Sequence, residues 1–132
     1  MRGASAIQEL LNTIPDTQLT VLVVWEPILW TDFKRPSAST LARLADRRVV
    51  QFWDHDHLVA KAFRDTFSSK EGKSIDPDRL SSDILWDDVA VYAPGLRWTD
   101  QQPQPDYFDG PVYDVIPKVK EALQQPVMSQ SR

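Results

Sequence analysis

Residues 21–32 read VLVVWEPILWTD. Residues 19–25 form a strand-length apolar run rich in Val, the pattern of a strand covered on both faces. At Trp25 the chain turns polar, and the segment that follows holds Glu26, Pro27, Ile28, Leu29, Trp30, Thr31 and Asp32. Open α/β sheets bind ligands at the carboxyl ends of their strands, so this segment is the first place to look for a site. It carries no obvious nucleophile.

Working outward, Ile7, Leu10, Leu11 and Ile14 fall at helical spacing, and Pro15 stops that helix. After the opening loop, Ser37 or Ser39 suits a helix cap, with Leu41, Leu44 and Ala45 expected inward. Residues 49–53 (VVQFW) read as a second strand. Asp54 or Asp56 then caps a helix whose apolar face is Leu58, Val59, Ala62, Phe63 and Phe67. Residues 68–83 are polar and read as a surface loop. Residues 84–92 supply a third strand. Pro94–Gly95 suits a type II turn, with residues 96–98 returning as a short antiparallel strand. A Pro- and Gln-rich loop leads to a closing helix marked by Val115, Ile116, Val119 and Leu123, with Pro117 in its first turn. Residues 126–132 read as a frayed tail.

The order α, β, α, β, α, β, β, α combines a right-handed parallel crossover with an antiparallel hairpin, which predicts a central mixed sheet with helices on both faces. This order resembles the thioredoxin-like fold. VLVVWEPIL is similar to that family's buried strand with its terminal tryptophan, and residues 26–29 lie where the family keeps its Cys-x-x-Cys motif. VVQFWD is similar to the next parallel strand, VAVYAPGLRW to the hairpin, and VIPKVKEAL to the last helix. The resemblance implies a three-layer α/β/α domain over residues 1–125, with about four strands in its sheet. It departs from the family in two respects. The chain contains no cysteine, so dithiol exchange is carried over to no residue. Residues 86–88 (Trp, Asp, Asp) offer no counterpart to the family's cis-proline before the third strand.

Composition narrows the function classes. The 132-residue chain suits one domain, and its formal net charge of −4 argues against nucleic acid, which needs clustered Lys and Arg. Arg43, Arg47 and Arg48 are interrupted by Asp46 and read as a solvated helix end. No apolar run approaches the ~18 residues of a membrane span. The opening residues show no signal-peptide pattern, so a cytoplasmic location is expected. Without cysteine there is no disulfide, thiolate metal site or thiol nucleophile. No phosphate-binding glycine loop and no Gly-x-Ser-x-Gly elbow occurs.

Two segments compete with plainer readings. In residues 25–32, Trp25, Glu26, Pro27, Trp30, Thr31 and Asp32 could line a groove; the plain reading makes Trp25 core, Pro27 a rigid turn and Asp32 a local turn bond. In residues 53–58 (WDHDHL), Asp54, His55 and His57 could contact a ligand or a metal. Histidines at i and i+2 do not share a helix face, so an Asp cap with an acidic first turn is the plainer alternative. Asp83, Asp87 and Asp88 lack calcium-loop spacing and read as a solvated acidic strand start. If the two strands are parallel neighbours, both segments lie at one sheet edge, and Glu26 or Asp32 could approach His55 or His57. Beyond about 8 Å that pairing would be out of hydrogen-bonding reach.

The expected protein is a redox-inactive domain that binds a protein or peptide partner at this edge, with no catalytic residue, resident metal or cofactor assigned. The alternative is a non-thiol or metal-assisted enzyme using Glu26 or Asp32 with His55 or His57. A homodimer formed through an exposed edge strand is a third reading.

Overall fold

The computed structural model describes residues 2–27, 34–67, 85–100 and 102–125. In chain order the elements are α1 (Arg2–Thr13), β1 (Val21–Trp25), α2 (Ala38–Leu41), β2 (Val49–Trp53), α3 (Leu58–Phe67), β3 (Val89–Val91), β4 (Tyr107–Asp109) and α4 (Val112–Gln124). Trp30, Thr31, Asp32, Asp83, the 68–83 loop and the 126–132 tail lie outside the described residues.

The expected α/β mixture and the order of element types are present, with the strands arranged as two separate pairs. β1 and β2 run parallel in the register Val21↔Val49 through Trp25↔Trp53. β3 and β4 run antiparallel, Val89↔Asp109 to Val91↔Tyr107. Among the described residues these are two two-stranded sheets, and a four-stranded central sheet does not form.

The expected return strand at residues 96–98 is corrected. Pro94–Gly95 does turn, with Gly95 at φ 82°, a value glycine adopts without steric cost. Leu96 and Trp98 nevertheless stay exposed, and residues 107–109 pair with β3 instead. The reason is burial. Phe108 is 7% exposed and stacks on Phe63 at 5.3 Å between ring centroids. With Phe67 it forms one core cluster, and Val59, Leu85, Ala90 and Tyr92 pack around it. The second cluster joins Leu10 of α1, Val91 of β3 and Val119 of α4. Gly3 lets α1 come close to the segment before β3, since the carboxylate of Asp87 occupies the space of a Cβ there.

Both faces of β1 were expected to be covered, and one is not. Leu22, Val24, Val50 and Phe52 share a face and are 37–64% exposed. The opposite face carries Trp25 and Gln51, and Gln51 donates to the carbonyls of Leu41 (3.0 Å) and Leu44 (3.4 Å). α2 is only four residues long, capped by Ser37 Oγ accepting from the Thr40 N–H at 3.2 Å. Because it ends at Leu41, Ala45 lies off any helix face and is exposed, while Leu44 is buried from the following turn.

Arg48 is not part of a solvated helix end. Asp46 grips its guanidinium with both carboxylate oxygens, at 2.9 and 2.8 Å. The same guanidinium donates to the carbonyls of Leu11 (2.7 Å), Ile14 (2.6 Å) and Asp16 (2.9 Å). It thereby ties the carboxyl end of α1 and the residues just after it to the start of β2. Hydrogen bonding to Arg48 holds the Asp46 carboxyl down at about 2.

The closing helix begins at Val112, so Pro117 sits inside it and not in its first turn. Pro117 lies on the exposed side, where water can take the carbonyl that a proline leaves without its N–H partner. The Gly110–Pro111 peptide bond preceding this helix is cis.

Candidate functional site

The parallel register brings the carboxyl ends of β1 and β2 level, with Trp25 beside Trp53. The Asp54 N–H donates to the Trp25 carbonyl at 2.7 Å and extends the ladder by one bond. Glu26 and Asp54 thus leave the sheet side by side.

Asp54 is the cap of α3. Its Oδ1 accepts from the Leu58 N–H at 3.0 Å and its Oδ2 from the Val59 N–H at 2.8 Å. Between cap and helix the chain passes through His57 at φ 57°. A left-handed backbone is uncommon for a residue other than glycine, and such conformations gather at functional sites.

This turn directs the His57 side chain at Glu26. Nδ1 of His57 lies 3.1 Å from Oε2 of Glu26, and the Leu85 N–H donates to Oε1 at 3.2 Å. Three segments therefore meet on one carboxylate: the end of β1, the start of α3, and the chain leading to β3. The Glu26 side chain is 8% exposed and that of His57 21%. Burial raises the pKa of the Glu26 carboxyl; the hydrogen bond and the charge of His57 oppose that rise without cancelling it.

The remaining expected residues divide clearly. Trp25 is half-buried and donates its indole N–H to Gln51 Oε1 at 2.8 Å, on the covered face of the sheet. Pro27 is buried. His55 stays at the surface, with Nδ1 3.0 Å from Asp56 Oδ1 and its ring edge-on to Trp53 at 6.3 Å. Glu26 thus pairs with His57 and not with His55. Among the described residues no three His, Asp or Glu side chains are placed to hold a metal ion. Asp87, at φ 57°, offers its carbonyl to the Val112 N–H at 2.9 Å.

Sequence reasoning missed Leu85 and misplaced Leu58, which was expected on the apolar face of α3 and is exposed. Leu85 contributes only its backbone N–H, which no residue pattern advertises. Leu58 follows His57 and is 64% exposed; Trp86 follows Leu85 and is 62% exposed.

Comparison of the chain with known protein families, with curated proteins and with solved structures finds no match. The chemistry of the site rests on its own geometry.

Proposed function

We propose that this chain is a redox-inactive, thioredoxin-like domain that works as a binding module, engaging a protein or peptide segment at the edge where β1 and β2 end. The fold part of this reading is supported by the order of elements: a parallel β1–β2 unit ending in Trp25, then an antiparallel pair and a closing helix. Its cysteine-free sequence removes thiol chemistry.

The observation that carries the reading is the shielded Glu26–His57 pair. Burying a carboxylate costs free energy that a well-packed apolar residue would not. Perturbed groups of this kind concentrate at functional sites. Leu58 and Trp86, next in sequence to His57 and Leu85, are exposed and offer apolar contact area, and tryptophan is enriched among residues that dominate interfaces.

A peptide array probed with the wild-type chain, His57→Ala and Lys118→Ala (a distant exposed position on α4) tests it. Peptides captured by wild type and by Lys118→Ala should be lost by His57→Ala. Equal capture by all three, with His57→Ala folded by circular dichroism, removes the binding reading.

The 3.1 Å contact also favours a second reading, acid–base chemistry by the same pair, since a carboxylate and an imidazole in hydrogen-bonding reach can pass a proton. It predicts hydrolysis of p-nitrophenyl acetate faster than by free imidazole at equal concentration, and loss of that excess in His57→Ala. A rate no greater than that of free imidazole rules it out.

A further inference from the structure

We infer that Nε2 of His57 is the atom that meets the partner, and that it accepts a hydrogen bond from a cationic N–H group, a guanidinium or ammonium on a basic segment. The inference rests on the binding reading above and names the chemistry of its ligand.

The hydrogen bonds around Glu26 set the direction. A backbone N–H can only donate, so the Leu85 amide makes Oε1 an acceptor. With Glu26 ionised, Oε2 also accepts, and the proton in the 3.1 Å contact belongs to Nδ1 of His57. A neutral imidazole protonated on Nδ1 carries its lone pair on Nε2. That nitrogen makes no hydrogen bond among the described residues, while the contact of Nδ1 with Glu26 orients the ring.

The surrounding charges select the ligand. Glu26 and Asp54 are close enough for the Asp54 charge to act on Glu26. Asp56 lies one residue from His57 and pairs with the surface His55. On the segment before β3, Asp87 has its carboxylate against Gly3. Lys61, one turn into α3, is exposed. Among the described residues no Lys or Arg forms an ion pair with Glu26, Asp54 or Asp56. This field repels a carboxylate or phosphate and favours a cationic donor. A second proton on the imidazole would turn Nε2 into a donor and add a positive charge, so it abolishes the interaction.

The chain has two histidines, so both ring Hε1 signals can be followed by NMR, with His55→Gln assigning them. The probes are methylguanidinium chloride, sodium acetate and sodium chloride, each added at a higher and a lower pH chosen on either side of the titration that the His57 Hε1 signal itself shows. Methylguanidinium should displace the His57 signal saturably at the higher pH, several-fold more than that of His55, and should lose this effect at the lower pH. Acetate should do no more than chloride. Displacement by acetate, a response of His55 alone, no response to methylguanidinium, or a response that persists at the lower pH each overturns the assignment. On the peptide array, sequences that need His57 should be enriched in Arg and Lys. His57-dependent capture without that enrichment and without the cation response sinks the cation assignment alone. Capture indifferent to His57 sinks the binding reading, whatever the small cation does.

Discussion

Nδ1 of His57 and Oε2 of Glu26 meet at 3.1 Å across a sequence separation of 31 residues. Two strand ends, brought level by the β1–β2 register, make that contact, and Asp54 steadies it by capping the helix that His57 precedes.

The pair gives the protein a pH signature. Glu26 has a folded-state pKa raised above 4.5, chiefly by burial. The folded state therefore binds this proton more tightly than the unfolded chain does. The Glu26 contribution is fully present below 4.5 and is lost as pH rises through the raised value. Glu26→Gln does not titrate, so the stability of wild type relative to Glu26→Gln should fall as pH rises from about 4.5 through the raised value. Urea unfolding of both chains across that range checks the sign; a relative stability that is flat or rises with pH contradicts the raised carboxyl.

Asp54→Ala should cost about 1 kcal/mol through loss of the α3 cap, with Asp54→Asn recovering most of it. Because the cap also holds the turn at His57, the alanine variant should move the His57 ring signals in NMR while Asp54→Asn leaves them near their wild-type positions. An alanine variant as stable as wild type would show that the cap is not a source of helix stability.

Arg48→Lys should lower the melting temperature clearly more than Arg47→Lys. An ammonium cannot reproduce the fork that grips Asp46 while reaching three carbonyls, whereas Arg47 is exposed. The Asp46–Arg48 contribution should be complete above about 3.8 and fade as pH falls toward 2, because the Asp46 carboxyl is held down in the folded state. Thermal melts of the two lysine variants decide the comparison, and equal melting temperatures would refute it.

Phe108→Ala should destabilise the fold by about 3–5 kcal/mol, the usual cost of truncating a buried aromatic. Trp98→Ala should cost about 1 kcal/mol, since that side chain is exposed and touches the core only edge-on to Phe63 at 6.5 Å. Chemical denaturation of both variants tests which segment pairs with β3. A larger loss for Trp98→Ala would place the return strand at residues 96–98 after all.

Local pattern carried much of the architecture. The apolar runs ending at Trp25 and Trp53, the helical spacing through Phe63 and Phe67, and the caps Ser37 and Asp54 depend on neighbours a few residues away, so they could be read from the sequence. Even the level strand ends followed, because a strand–helix–strand unit implies a parallel pair. The choice of return strand was different. Leu96–Trp98 and Tyr107–Asp109 are both short and apolar enough to pair, and burial of Phe108 against Phe63 and Phe67 decided between them. Likewise, Glu26 had two histidines within reach of the same edge. The positive φ of His57 and the Asp54 cap turned one toward the carboxylate and left the other on Asp56. A pattern of residue types has no term for contacts between distant segments, and in this protein those contacts selected both the second strand pair and the members of the site.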